Sequence, residues 1–239
     1  MFNPDARIQA LPLAPDLTVW VVDNALRDPE ALRERAIAER QSFVAAPFNA
    51  YPGLEWRMGE DIDGPLSEFF ALQVRARLGA RRTRQMYSRL SLATLQPVQL
   101  RPLQRLCHRD RMGAGDDECV AACTLYLFDD PALGGTSFFA PRRPLPEVEA
   151  RIRRWHTMDS AAFTAEIGSP PGNPPGYLTA GNDWFELLGV VPAAFNRAVF
   201  YDGSRFHSSH ITAPEKLSDD PAKGRLTLNG FFVCRRAAA

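Results

Sequence analysis

Lysine is nearly absent from this 239-residue chain, in which Lys216 and Lys223 are the two lysines among 28 basic residues. Those 28 residues balance 28 aspartates and glutamates, and no block of like charge forms an interaction tail. The formal net charge of zero therefore gives no support to bulk attraction toward nucleic acid or anionic lipid. We interpret the preference for arginine as a coding bias without functional meaning.

Export and anchoring signals are also missing. No stretch has the length of a membrane span, and the first residues lack a basic region followed by an apolar one. The four cysteines form no C-x-x-C pair, which is typical of a reducing compartment and of cysteines that serve as small core residues. We therefore expect a cytoplasmic protein with no membrane partner, and the sequence leaves its oligomeric state open.

The amino-terminal third predicts one strand and two helices. Branched and aromatic residues indicate a strand over 17–22. Asp28 as N-cap and Pro29 at the first helical position predict a helix that runs to about Gln41. A second helix is expected over 66–78. The residues expected on the buried face of the first helix are Leu32, Ala36 and Ile37.

A β pattern dominates the rest of the chain. The predicted strands cover residues 87–98, 103–108, 119–128, 136–139, 197–201, 206–212 and 225–234. An interruption contains a predicted helix over 147–155, a Pro/Gly-rich loop over 169–176 and an amphipathic segment over 184–191. Long insertions of this kind are typical of lids or binding loops.

These elements predict a mainly β (α+β) fold with N-terminal helices and a helical insertion. Strands that are distant in sequence but converge on one site are typical of a double-stranded β-helix, or jelly roll. We expect a single domain, whose parts are a supporting region (1–85), the jelly-roll core (86–140 and 196–236) and an insertion or lid (141–195).

The pattern His108-Arg109-Asp110 is the strongest chemical signal. Positions i and i+2 of an extended strand project from the same side, so His108 and Asp110 can aim an imidazole and a carboxylate at one point. A second histidine from another strand would complete the two-histidine, one-carboxylate facial triad that leaves open positions on ferrous iron. His207 is one candidate and His210 competes with it, since the two would point to opposite faces of a regular strand. His207 as a capping or core histidine remains an alternative.

The wider pattern resembles the iron(II)- and 2-oxoglutarate-dependent dioxygenases, in their prolyl-hydroxylase-like branch. The elements occur in the order found in that family: His108-x-Asp110, the strand ending Leu125-Tyr126-Leu127, the turn Gly134-Gly135, the distal His207, and Arg225-x-Thr227. The resemblance covers roughly residues 87–236 without the insertion.

The resemblance implies a role for each matching residue. His108, Asp110 and His207 would bind Fe(II), and Arg225 would hold the distal carboxylate of 2-oxoglutarate through its planar guanidinium. Thr227 would donate a hydroxyl to the same carboxylate. Tyr126 would present its phenol to the cosubstrate, with a strand register that the sequence leaves uncertain.

The activity implied by the resemblance consumes dioxygen (O2) and converts 2-oxoglutarate to succinate and carbon dioxide, with ascorbate as a stimulant. The substrate would be a small molecule, an amino acid or a peptide side chain hydroxylated at an unactivated C–H bond. Asp110 favours hydroxylation over halogenation, because halogenating relatives lack the ligating carboxylate, and the sequence leaves desaturation and ring closure open. Phe231 stands where nucleic-acid-demethylating relatives carry an arginine, so nucleic acid is not expected as a partner.

Two other functions fit the same residues: a non-catalytic jelly-roll binding protein, and a cupin-like metalloenzyme that needs no 2-oxoglutarate. We expect Trp184 and Phe185 in the insertion to line the substrate pocket, and His156 to be a solvated histidine at a helix end. The arginines over residues 75–84 are expected to form a solvated basic face. The sequence does not name a substrate, because loops and insertions determine it.

Overall fold

The computed structural model describes residues 1–46, 50–110, 115, 117–167 and 176–236, which include eleven strands and four α-helices. The strands are β1 (Ile8–Ala14), β2 (Leu17–Val22), β3 (Val44–Ala45), β4 (Gly53–Arg57), β5 (Ala80–Ala93), β6 (Glu118–Tyr126), β7 (Thr136–Pro141), β8 (Phe185–Val191), β9 (Ala198–Asp202), β10 (Phe206–Ser209) and β11 (Arg225–Arg236). The helices are α1 (Pro29–Ala38), α2 (Glu60–Phe69), α3 (Leu145–Trp155) and α4 (Ser160–Ile167). The predicted loop over 169–176 lies outside the described residues except for its last position.

The strands form two antiparallel sheets. The large sheet has eight strands in the order β1-β2-β9-β6-β11-β5-β4-β3, and the small sheet has three in the order β10-β7-β8. The prediction of a mainly β fold with additional helices is confirmed. Within the described ranges, no helix combines the length and the apolar character needed to cross a membrane.

The outer face of the large sheet packs against α1 and α2. Because successive strand residues point to opposite faces, Leu226, Leu228 and Phe232 of β11 share this face. They belong to one buried apolar cluster with Phe70, whose ring lies 3.9 Å from that of Phe232. Each fully buried side chain of this size contributes about 1.5–3 kcal/mol to folding. The opposite, inner face carries the polar residues of the same strands.

Helix α1 begins where the sequence predicts. The side chain of Asp28 accepts a hydrogen bond from the Ala31 backbone N–H at 3.1 Å, and Pro29 occupies the first turn. Leu32 and Ala36 are buried as expected. The prediction for Ile37 is wrong, since this residue is 38% exposed at the end of a helix that stops at Ala38.

The second helical region begins earlier than predicted. Helix α2 starts at Glu60 rather than at residue 66, and a π turn (Phe70–Val74) and a 3-10 turn (Arg75–Leu78) extend it to the expected end. The acidic first turn, with Glu60 among three carboxylates, stabilises the helix start. Pro65, which usually marks a break, is tolerated inside the helix.

The strand predicted over 103–108 is wrong. Pro102–Arg105 forms a 3-10 turn, and only His108 makes a single bridge to the small sheet. Strand β5 runs over Ala80–Ala93, so it starts and ends earlier than the predicted 87–98. The amphipathic segment 184–191 is essentially strand β8, whereas the sequence does not predict β1, β3, β4 or α4.

The insertion packs in an apolar cluster that it shares with Leu106 and Phe206 from outside it. Helices α3 and α4 bury Trp155 and Phe163 against Trp184 and Phe185, and the rings of Trp155 and Trp184 are 5.2 Å apart. Trp184 and Phe185 are both buried in this cluster, and the expectation that they line a substrate pocket stays a prediction.

Candidate metal centre

The backbone holds His108 and His207 side by side, although they are far apart in sequence. Each donates its N–H to the carbonyl of the other at 2.9 Å, and the two imidazole rings lie 4.4 Å apart. Two residues later, the N–H of Asp110 donates to the carbonyl of Gly203 at 2.7 Å. This ladder keeps positions 108 and 110 on one side, as the sequence predicted, without a regular strand.

Gly203 leaves the room that Asp110 requires. A Cβ at this position would lie 3.1 Å from Cβ of Asp110 and 3.3 Å from its Oδ2. A larger residue at position 203 would therefore crowd this carboxylate and shift it by a few tenths of an ångström.

The three predicted ligands converge on one point. Nε2 of His108 lies 3.6 Å from Oδ1 of Asp110, and Nε2 of His207 lies 3.4 Å from Oδ2. All three donor atoms lie within 4.8 Å of one another, which is close enough for one ion to lie between them. Two imidazoles and one carboxylate are the donor set of a facial ferrous site.

The tautomer of His207 suits a metal ligand. Its Nδ1 lies 2.8 Å from the carbonyl of Arg205, and a carbonyl only accepts. Nδ1 of His207 therefore carries the hydrogen, and Nε2 presents its lone pair to the centre. His207 is 4% exposed. The alternative that it is a capping or core histidine accounts for this burial, but not for the orientation of its Nε2 toward Asp110.

Asp110 has a buried oxygen that needs a partner. Its Oδ2 is inaccessible to solvent and makes no hydrogen bond with any residue in the described part of the chain. Desolvation raises the pKa of this carboxyl group, while His207 and Arg89 oppose the rise. Desolvation, with His207 and Arg89 adding to it, lowers the pKa of His108 and favours the neutral imidazole that binds metals, although 55% of this side chain stays open to solvent. A divalent cation would satisfy this set, so the residues present fit a ferrous ion.

Arg225 lies deeper in the same cavity. It is 2% exposed, and its Nε and Nη2 donate to the carbonyls of Leu133 and Gly135 at 3.0 and 2.8 Å. Gly134 between those two residues adopts a φ of 78°, a conformation that favours glycine, so the predicted Gly134-Gly135 turn aims both carbonyls at Arg225. Among the described residues Arg225 forms no ion pair, and a buried cation without a counter-ion favours an anionic ligand.

Thr227 and Tyr126 differ in their relation to this cavity of about 60 Å³. Thr227 lines it, with its hydroxyl 3.4 Å from the Ser91 carbonyl. Tyr126 is fully buried behind the cavity, and its hydroxyl lies 2.7 Å from Oγ1 of Thr136, which does line it. A role for Tyr126 toward a cosubstrate would therefore act through Thr136 and stays a prediction.

The other two histidines lie outside the centre. Nδ1 of His210 is 2.7 Å from Oγ of Ser137, and His210 is not among the grouped ligand atoms. His156 is exposed at the end of α3, as expected.

Comparison with known proteins begins with a family model. A model described as "Family of unknown function (DUF6445)" matches residues 4–232. The chain belongs to the DUF6445 family. None of the curated protein sequences compared with this DUF6445 chain matches it.

Several solved structures resemble this DUF6445 chain. HygX from Streptomyces hygroscopicus, with nickel and 2-oxoglutarate bound, is 10% identical at a TM-score of 0.49, covering 91% of this chain and 82% of that one. The non-heme alpha ketoglutarate dependent epimerase SnoN from nogalamycin biosynthesis is 12% identical at a TM-score of 0.45, covering 91% and 80%. An N-substituted L-amino acid dioxygenase from Burkholderia ambifaria, in complex with alpha-KG, is 11% identical at a TM-score of 0.35, covering 89% and 81%. The low identities and TM-scores leave the functional assignment to the residues of the site.

Sequence reasoning missed two residues of the centre in this DUF6445 chain. Arg89 of β5 and Tyr51 before β4 line the same cavity as His108 and Asp110. Desolvation is the main cause that raises the pKa of Tyr51 to about 12, so its phenol stays protonated at neutral pH. The sequence signal for Arg89 is its alternation with the buried Leu90, which turns it to the inner face.

Proposed function

We propose that this chain is an iron(II)- and 2-oxoglutarate-dependent dioxygenase on a double-stranded β-helix, which hydroxylates an unactivated C–H bond of a small molecule, an amino acid or a peptide side chain. The observation that carries the proposal is the convergence of His108, Asp110 and His207, with Oδ2 of Asp110 buried and without a hydrogen bond among the described residues. A buried cation, Arg225, lines the same cavity. A metal centre and an anion site in one cavity are what this reaction requires.

The residues of the site would have distinct roles. His108, Asp110 and His207 would hold Fe(II), and Asp110 would supply the negative charge that offsets the ion. When bound, Fe(II) with 2-oxoglutarate and dioxygen supplies the oxidising chemistry, in which 2-oxoglutarate becomes succinate and carbon dioxide. The chain itself contributes orientation of the reactants and exclusion of water.

Arg225 would bind the distal carboxylate of 2-oxoglutarate. Its Nε and Nη2 are already oriented by the Leu133 and Gly135 carbonyls, so its Nη1 and the second N–H of Nη2 remain for a ligand. A guanidinium that is fixed in advance loses less entropy on binding, which favours a specific dicarboxylate. Thr227 lines the cavity close to this group and would add a hydroxyl contact.

Anaerobic metal and cosubstrate titration tests this function. Purified protein loaded with Fe(II) and 2-oxoglutarate should develop the weak visible charge-transfer band of the complex, and should release succinate when oxygen and ascorbate are added. Asp110→Ala should lose the band and the succinate, whereas His156→Ala, which removes an exposed histidine, should keep both. A wild-type protein that binds iron without the band, or an Asp110→Ala variant that behaves like wild type, contradicts the proposal.

A cupin-like metalloenzyme without 2-oxoglutarate is the second candidate. The observation in its favour is that Arg225 already donates two hydrogen bonds to backbone carbonyls, which is enough to give it a structural role. Arg225→Lys distinguishes the two functions: it should weaken 2-oxoglutarate binding if the guanidinium binds the cosubstrate. An oxidation that proceeds equally well without 2-oxoglutarate, before and after this substitution, supports the second candidate.

A further inference from the structure

A larger cavity of about 340 Å³ lies beside the metal centre, and a second one of about 240 Å³ lies next to it. Both are lined by Leu103, Leu106, His108 and Arg109, so they form two lobes around the exposed side of His108. Neither Arg225 nor Thr227 lines these lobes among the described residues. The larger lobe adjoins the cavity of Arg225, since Arg89, His108 and Asp110 line both, but it does not reach Arg225 itself.

The cationic side chains of the larger lobe are Arg89 and Arg109 among the described residues. Arg89 is held by Glu55: its Nε lies 2.9 Å from Oε1 of Glu55, and its Nη1 donates to Oε2 at 3.1 Å. Nη2 of Arg89 donates no hydrogen bond within the described ranges. The Glu55 carboxylate thus holds the guanidinium by a hydrogen bond to Nη1, Nε makes no hydrogen bond with the described residues, and Arg89 lines the cavity.

In the wall of the larger lobe, the arginines line the cavity and the glutamates paired with them do not. Glu55 is 6% exposed and does not line the larger lobe, whereas Arg89 does. Arg109 is held in the same way by Glu149, which also does not line the larger lobe. Asp110 is the remaining charged residue that the structure describes there, and the proposed Fe(II) would offset it. A ligand in this lobe would therefore meet a positive potential.

The remaining walls are mainly aromatic and apolar, although Gln104, Ser208 and Ser209 also line the larger lobe, and Glu149 and Arg153 line the second. The rings of Tyr87 and Phe231 stack at 4.9 Å and 21°, and the Arg89 guanidinium lies 4.7 Å from the Phe231 centroid. In the second lobe, Ile152 and Phe206 join Leu103 and Leu106. A ligand that fits both lobes has an anionic end near Arg89 and an apolar body.

We propose that Arg89 binds the carboxylate of the substrate, which belongs to the class of apolar or aromatic carboxylic acids. The acid's body lies along Tyr87 and Phe231 or extends into the second lobe, so that one of its C–H bonds is beside His108. This assignment rests on the proposed function for the reaction, but the binding of the acid does not depend on turnover.

Calorimetry with matched pairs of ligands tests the proposal. The protein is loaded with Zn(II), which is redox-inert, and saturated with 2-oxoglutarate, so that Arg225 is occupied. Octanoate is compared with octanamide, and 3-phenylpropanoate with 3-phenylpropanamide, because each pair differs in charge and hardly in shape. Each acid should bind about ten- to a hundredfold more tightly than its amide, the range for a hydrogen bond with a charged partner.

Substitution of Arg89 should remove this preference. Because Arg89→Gln alone leaves Glu55 buried without its cation, the double variant Arg89→Gln/Glu55→Gln is the main test and keeps a neutral hydrogen-bonding pair. Arg33→Gln is the matched control, since Arg33 also combines an ion pair, with Asp129 at 2.7 Å, and a ring contact, with Phe195 at 5.8 Å, but lies on α1. The control should keep the preference for the acids.

Three results would overturn the proposal: acids that bind no more tightly than their amides, a double variant that keeps the preference, or a double variant that instead loses affinity for 2-oxoglutarate. The last result would assign Arg89 to the cosubstrate. The two proposals fail separately. An Arg89-dependent preference without iron- and 2-oxoglutarate-dependent succinate formation rejects only the proposed function, and succinate formation without the preference rejects only this inference.

Discussion

The two faces of the strand pair β5 and β11 differ in composition and in role. Facing outward, Leu90 pairs with Leu228 and Leu92 with Leu226, all fully buried against the helices. Facing inward, the alternate pairs are Arg89 with Asn229, Ser91 with Thr227 and Ala93 with Arg225. Since the pleat separates the two sets, one strand pair provides apolar stability on one side and polar groups for binding on the other. Substitutions on the two faces should therefore have separable effects.

Phe232→Ala on the outer face should produce the largest change. The substitution removes a ring that is fully buried and stacked on Phe70, so the free energy of unfolding should fall by about 3–5 kcal/mol. Urea denaturation measures this loss. Leu72→Ala, at a residue 73% exposed, is the control and should stay within about 0.5 kcal/mol of wild type. A metal affinity that falls in the folded fraction of Phe232→Ala would break the separation of the faces.

Asp110→Ala on the cavity side should weaken metal binding and leave the stability of the metal-free protein unchanged. Loss of a proposed ligand should weaken divalent metal binding by more than about a hundredfold, because even residues that only support ligands contribute 10- to 100-fold. The free energy of unfolding of the metal-free protein should not fall, since Oδ2 of Asp110 has no hydrogen bond among the described residues to lose. Metal titration and urea denaturation of the same sample measure both effects. A strongly destabilised variant would mean that this carboxylate is structural.

Arg225→Ala should lower both the stability of the protein and its affinity for a ligand. It leaves the carbonyls of Leu133 and Gly135 without their donor, which should cost about 1–3 kcal/mol of stability. Affinity for 2-oxoglutarate should fall as well, and isothermal titration of the metal-loaded protein measures it. If stability falls while cosubstrate affinity does not change, the residue serves only the turn.

Tyr51→Phe should have the smallest effect, confined to high pH. Burial raises the pKa of Tyr51 from 10 to about 12, so the folded protein retains this proton where the unfolded chain loses it. The stability that this provides is complete below pH 10 and is lost as the pH rises toward 12. The unfolding free energy of Tyr51→Phe should therefore fall less steeply with pH over this interval than that of the wild type. The difference in slope should be at most about 1.4 kcal/mol per pH unit. Identical slopes in wild type and variant would contradict the assignment.

Two parts of the candidate site have local signals in the sequence, whereas His207 and Arg225 are assigned from the family resemblance. The spacing of His108 and Asp110 fixes a shared side in any extended segment, and the Gly134-Gly135 turn is visible as a dipeptide. The ion pair of Arg89 with Glu55 was not predictable, because it depends on the pairing of β4 with β5. Nothing near either residue indicates the other.

The errors in the fold have physical causes as well. Strand β1 contains Pro12, where its register with β2 shifts, so the usual strand signal is interrupted. The apolar residues Leu103 and Leu106 suggest a strand, but Pro102 starts a 3-10 turn that brings both into the cavity wall. Ile37 continues the apolar period of α1 after the helix has reached the edge of the core. In each case tertiary context outweighs the local pattern.

The reciprocal main-chain bonds between His108 and His207 join the 106–110 segment to an edge of the small sheet. A metal ion bound by both imidazoles would also stabilise these two backbone hydrogen bonds. Amide protons at 108 and 207 would then exchange with deuterated solvent more slowly when the centre is loaded than when it is stripped by a chelator. Amide exchange at these two positions would thus report whether the centre holds a metal ion, before any substrate is known.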